Sequence, residues 1–237
     1  MSAILITGAN RGIGLELTRK FLSKGHVVVA TARRPEEAQE LLSLVPQSRP
    51  GALTVIPLDV TDADSANHAA KQCEESVDAL DILINNAGIY PEGGDEPFSE
   101  IDVELFQRAM DVNYIGTVRV TQAFLPLLQK GENASIVNIS SGAATLTEKN
   151  DSRRYCYGPS KTALNMFTRT LANELKAEGV VVAAISPGWV RTEMGGEDAD
   201  LSVEDSTTAM AETIANLSME SSGEFLDRFG KSDSYKW

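Results

Sequence analysis

The chain has 237 residues, of which 42% are hydrophobic, and a net charge of −13 at pH 7. That is enough apolar material for one large core, so a single domain over residues 1–237 is expected. The acidic balance argues against nucleic acid or an anionic membrane as the main partner, and no apolar run reaches the roughly 18 residues of a membrane span.

The segment from Met1 to Gly8 lacks a basic region and a cleavage site, so it reads as a first strand and not as a secretory signal. Two cysteines, Cys73 and Cys156, supply neither a disulfide framework nor a metal site by themselves. They are expected as free thiols in a reducing, cytoplasmic setting.

Short runs rich in Val, Ile and Leu lie at Ala3–Thr7, Val27–Thr31, Leu53–Leu58, Leu80–Ile84, Ser135–Ile139 and Val180–Ile185. They are nearly continuous, as strands buried on both faces are. Helical patterns fall between them at Ile13–Lys24, Glu36–Leu44, Ala63–Val77, Val103–Gln129 and Ser160–Ala177. This alternation implies an α/β fold of the Rossmann type, a doubly wound parallel sheet with helices on both faces. Such sheets bind ligands at the carboxyl ends of their strands, so chemistry is expected just after each apolar run.

After the first run stands Thr7-Gly8-Ala9-Asn10-Arg11-Gly12-Ile13-Gly14. The glycines are spaced GxxxGxG, which differs from the common dinucleotide fingerprint. The physics is similar: a tight turn without Cβ lets a diphosphate approach bare backbone, and the next helix points its N–H groups at the anion. The second run ends in Ala32, where an acid that prefers NAD would stand, and Arg33 and Arg34 come next. Without that acid a 2′-phosphate meets no repulsion. Arg33 is suited to bind it, with Arg11 helping from the other side, which favours NADPH. The bland alternative leaves Arg33 and Arg34 as solvated loop residues. Asp59 and Val60 stand after the third run; Asp59 is equally suited to the adenine amino group or to a turn.

Tyr157-Gly158-Pro159-Ser160-Lys161 places a tyrosine and a lysine at i and i+4, on one helix face. Pro159 fits only a first turn, which puts the pair at the helix start. Tyr155 is set aside because Pro159 is the residue four positions on. Reduction of a carbonyl by hydride makes an alkoxide that must be protonated. A free phenol, with a pKa of about 10, is too weak for reversible transfer near neutrality. The ammonium of Lys161 is expected to lower that value, and about three units would correspond to roughly 4 kcal/mol.

With the glycine loop, Asn85-Asn86-Ala87-Gly88 after the fourth run and the tyrosine motif, the chain resembles the short-chain dehydrogenase/reductase family along its whole length. Within the family it is most similar to the C-factor and Sniffer-like carbonyl reductases. That likeness rests on Pro187 to Gly196, on Ser222-Gly223-Glu224-Phe225 and on Trp237.

The resemblance implies a seventh strand and cofactor contacts at Asn86, Ala87 and Gly88. It implies Pro187 and Gly188 against a nicotinamide whose carboxamide meets Val190 and Thr192. It gives Ser141 the substrate oxygen, and Asn113 a water in a proton relay through Lys161. It also implies a dimer or tetramer through the helices at Val103–Gln129 and Ser160–Ala177, with Phe106, Met110, Phe124, Met166 and Phe167 as outward candidates.

The loop from Ser141 to Tyr157 is longer than in most members and carries the charged stretch from Glu148 to Arg154. The acidic, glycine-containing stretch from Met194 to Ser202 reads as a mobile substrate lid, or else as an ordinary surface loop. The expected function is NADPH-dependent reduction of an aldehyde, ketone or quinone. A cofactor-binding signalling or regulatory protein is the alternative.

Overall fold

Strands made of buried Val, Ile and Leu leave no room for polar faces, and the chain stacks them side by side. The computed structural model describes residues 1–92, 97–147 and 153–235. Trp237 and the part of the charged stretch at 148–152 lie outside the described residues.

The strands are β1 (Ala3–Ile6), β2 (Val27–Ala32), β3 (Leu53–Pro57), β4 (Ile82–Asn85), β5 (Ser135–Ile139), β6 (Val181–Ile185) and β7 (Phe225–Leu226). They form one seven-stranded sheet in the order β3-β2-β1-β4-β5-β6-β7, and every pairing is parallel. The order reverses between β1 and β4, and a ligand crevice opens at such a switch point.

Side chains alternate across the sheet. Ile4, Ile6, Val137 and Ile139 enter one core, while Leu5 and Ile136 enter the other. The first core is closed by α1 (Gly12–Ser23), through Leu17 and Phe21, and by a late helix through Met210 and Ile214. The second is closed by α3 (Ala63–Glu74), α5 (Gly116–Leu128) and α6 (Tyr157–Leu175), through Cys73, Phe124 and Leu175.

The expected helix over Glu36–Leu44 is a 3-10 turn at Pro35–Glu37 and then a one-turn helix, α2 (Gln39–Leu42). Ala38 leaves helical backbone between them, and within α2 only Leu41 is buried, so little packing exists to propagate a longer helix. The expected single helix over Val103–Gln129 is α4 (Val103–Met110), a π turn at Asp111–Ile115, and then α5. Phe124 does not face outward as expected; it is fully buried against the sheet. Met166 on α6 is 68% exposed.

A helix absent from the sequence pattern, α7 (Val203–Ala215), starts at Ser202, whose hydroxyl accepts the N–H of Asp205. Among the described residues no helix is long and apolar enough to cross a membrane, and no cluster of His, Cys, Asp or Glu could hold a metal.

Candidate active site

The glycine loop is sewn to the end of β4. The Thr7 hydroxyl accepts the N–H groups of Asn86 and Ala87, each at 2.9 Å. The Asn86 amide donates back to the carbonyls of Thr7 at 2.8 Å and Gly8 at 3.1 Å. Gly8 and Gly12 have φ of 63° and 55°, a region side chains disfavour. A Cβ on Gly14 would lie 2.5 Å from both the Gly8 oxygen and the Asn86 amide nitrogen.

Extended Arg11 precedes α1 without a side-chain cap, so the first-turn N–H groups are left for another acceptor. A surface of bare N–H groups and missing Cβ atoms fits a diphosphate. Asn10 is exposed, and Ile13 packs against the core.

Ala32 closes β2 and is buried, and Arg33 beyond it is exposed, with no ion pair among the described residues. Arg34 pairs with Glu37 at 2.7 Å. Arg11 forms an ion pair with Glu193, from the segment after β6. Asp59 serves a turn, accepting the Thr61 N–H at 2.9 Å and hydroxyl at 2.7 Å. Burial alone would raise its pKa, but the two bonds from Thr61, with Arg33 and Arg119 nearby, hold it below the usual carboxylate value. Val60 packs against Gly116, where a Cβ would come within 2.9 Å of it.

The two serines after β5 divide as strand alternation requires. Ser140 turns inward and donates to Asn165 at 2.6 Å. Ser141 accepts the Ala143 N–H at 3.1 Å, and its hydroxyl favours the ionised form of the Tyr157 phenol.

Lys161, only 4% exposed, donates to the Ile139 carbonyl at 2.8 Å, and its Nζ lies 5.7 Å from the centre of the Tyr157 ring. Burial lowers the lysine pKa to about 8. Burial also pushes the Tyr157 phenol above its ordinary value, against the opposing pull of Ser141 and Arg154. This is the reverse of the direction expected from the ammonium alone, because desolvation of the phenol outweighs the nearby charge.

Asn113 sits in the π turn with its side chain fully buried. It accepts the Ile89 N–H at 2.7 Å and donates to the Ile89 carbonyl at 2.9 Å and to Ser160 at 3.0 Å. Gly88 lets the backbone pass close by: a Cβ there would lie 3.2 Å from the Asn113 oxygen and 3.5 Å from the Lys161 ammonium.

After β6, the Pro187 carbonyl accepts from Ser206 on α7 at 2.7 Å. Gly188 lies against Leu201, which would be 2.6 Å from a Cβ there. Thr192 reaches back over the glycine loop, 3.4 Å from where a Gly12 Cβ would be. Val190 is buried and bridges Leu201, Arg191 donates to the Ala199 carbonyl at 2.6 Å, and Trp189 to the Gly195 carbonyl at 2.8 Å. These ties hold the stretch that the sequence reads as a mobile lid or else as an ordinary surface loop.

Two residues of the cluster carry no local sequence signal. Glu92 accepts the N–H groups of Cys156 at 2.9 Å and Tyr157 at 2.7 Å. Tyr235 stacks on Phe225 with ring centroids 4.9 Å apart, and its hydroxyl is 3.2 Å from Ser186, just before Pro187. Its ring also borders Gly142, next to Ser141.

Known proteins share this arrangement of strands and helices. The carbonyl reductase Sniffer of D. melanogaster superposes with a TM-score of 0.94 at 29% identity, over 100% of both chains. An NADPH-bound carbonyl reductase from chicken fatty liver gives a TM-score of 0.90 at 34% identity, over 98% of both chains. C-signal of Myxococcus xanthus is 38% identical over 151 residues, which are 64% of this chain and 90% of that protein. The sequence profile of the short chain dehydrogenase family matches residues 2–201. The chain belongs to the short-chain dehydrogenase/reductase family of oxidoreductases.

Proposed function

We propose that the chain is an NADPH-dependent carbonyl reductase, a single catalytic domain in which Tyr157 is the proton donor. The observation that carries this reading is the buried Lys161 ammonium, 5.7 Å from the centre of the Tyr157 ring, with Ser141 acting on the same phenol.

The diphosphate of the cofactor fits the loop from Gly8 to Gly14, and Arg33 is the exposed cation for a 2′-phosphate. Val60 and Asp59 border the adenine side. Asn86, Ala87, Gly88, Pro187, Gly188, Val190 and Thr192 line the nicotinamide side. When bound, NADPH supplies a hydride to the carbonyl carbon. Ser141 holds the carbonyl oxygen, and Tyr157 releases its proton to that oxygen as negative charge grows on it. Lys161 favours the phenolate left behind and is placed to return the proton with the help of Asn113.

Two copies pairing through the faces that carry Val103, Ile115 and Met166, each exposed, belong to the same reading. The similarity to C-signal supports a second reading, a signalling protein that only binds the cofactor.

Tyr157→Phe separates the two. We expect NADPH binding to survive and reduction of 4-nitrobenzaldehyde to fall by about 10²–10⁴-fold, the usual worth of a general acid. A variant that reduces at the wild-type rate removes Tyr157 from this role, and one that keeps a biological signal without turnover favours the second reading.

A further inference from the structure

Glu92 is joined to β4 by a short loop and is only 4% exposed. Its Oε1 takes the N–H groups of Cys156 and Tyr157, at 2.9 and 2.7 Å, and so closes the start of α6. Cys156, the residue at the cap position, offers no side-chain bond of its own. The other carboxylate oxygen, Oε2, is buried with no hydrogen-bond partner among the described residues. A neutral Ser, Thr or Asn at the cap position satisfies a helix start without burying a charge. A buried carboxylate with one oxygen unpaired is a poor choice for capping alone, so its charge invites a second role.

The charge stands at the backbone of the residue that carries the reacting group. The titratable and polar groups that bear on the Tyr157 phenol are Ser141 after β5, Tyr90 and Glu92 from the loop after β4, Arg154 ahead of α6, and Lys161 on α6 itself. Arg154, Lys161 and the positive end of the helix all favour the phenolate. Among these groups Glu92 is the anion, and it opposes them. Its charge is felt one residue earlier as well: burial first, and then Glu92, push the Cys156 thiol up to about 11.

We propose that Glu92 is a positioning residue for the reduction, whose buried carboxylate fixes the first turn of α6 beneath Tyr157 and sets one negative charge at the backbone of the proton donor. The inference rests on the reading of Tyr157 as the proton donor.

In the reductive direction, kcat/KM falls as pH rises through the titration of the donor. Glu92→Gln keeps an oxygen for both N–H groups and removes the charge. That alkaline limb should move down by about one pH unit, the size of shift a single close charge imposes, while NADPH affinity and melting temperature stay near wild type. Glu92→Asp keeps the charge and loses reach; it should lower kcat and leave the limb in place. The probes are 4-nitrobenzaldehyde and NADPH, with Tyr157→Phe run in parallel.

A limb that moves in the Gln variant alone supports the proposal; one that moves in both variants or in neither overturns it. Should the Gln variant fail to fold, Glu92→Asn takes its place: a limb that moves with Asn and stays with Asp supports the proposal, and any other result overturns it. Failure of the underlying reading looks different, because Tyr157→Phe then retains turnover whatever Glu92 does.

Discussion

The ammonium of Lys161 lies 5.7 Å from the centre of the Tyr157 ring and is tied to the carbonyl of Ile139, with almost no exposure to solvent. Burial lowers its pKa from 10.5 to about 8, so the fold disfavours the charge the chemistry needs. Below pH 8 both folded and unfolded chains hold the proton, and the full penalty, about 3 kcal/mol, falls on the fold. Between about 8 and 10.5 the unfolded chain binds more protons, so stability from this group rises with pH and is complete above that window. We expect Lys161→Met to melt higher than wild type at pH 7, with the gap narrowing through that window, and to lose carbonyl reduction. Thermal melts of both proteins across pH measure this.

Arg33 is the exposed guanidinium at the end of β2, and the acid that would repel a 2′-phosphate is replaced there by Ala32. Arg33→Ser should weaken NADPH by about 1–3 kcal/mol, the worth of a charged hydrogen bond, and leave NADH nearly unchanged. Titration of both cofactors by fluorescence measures the difference. Equal affinity of the wild type for the two would end the proposed preference.

Gly14 has no room for a side chain, since the Gly8 carbonyl and the Asn86 amide each lie 2.5 Å from where a Cβ would stand. The first of these is backbone and moves only with the loop. Gly14→Ala should therefore lower stability by about 1–3 kcal/mol and lose cofactor affinity at the same time. Gly25→Ala is the control: a Cβ there meets nothing within 4 Å, although its φ of 83° makes it strained too. It should destabilise the chain and leave cofactor affinity intact, as calorimetry of both variants would register.

The two thiols should be inert in the native chain. Burial pushes Cys73 up to about 12 and Cys156 to about 11, and both side chains are buried away from solvent. At pH 8 almost no thiolate is present. Iodoacetamide should label neither cysteine until denaturant is added, and turnover should survive the treatment even though Cys156 adjoins Tyr157. Mass spectrometry before and after unfolding reads the outcome.

The features legible in the sequence are those written in neighbouring residues. The apolar runs of β1 to β6 are buried on both faces and so carry an uninterrupted pattern. The pairing of Tyr157 with Lys161 is one helical turn, and the glycine loop is one short segment. β7 has only two residues, too few to form a run. Glu92 meets its partners 64 and 65 positions away, and Tyr235 meets Ser186 49 positions away, so neither contact leaves a local trace. The resemblance gave Phe124 an outward face, but within α5 it repeats at helical spacing with Val120, Leu127 and Leu128, all of them buried. The upward direction of the Tyr157 titration depends on burial, which only the packed chain defines.

The π turn at Asp111–Ile115 has a consequence for how the chain tolerates change. Such a turn is the way a helix absorbs one residue beyond its regular repeat without re-aiming its later turns. A chain shortened by one residue there would keep α5 against the sheet, with Phe124 still in place, and would lose only the bonds by which Asn113 grips Ile89 and Ser160. The deletion would be nearly silent for folding and felt at the crevice, so folding and reactivity answer to separate constraints within one turn of backbone.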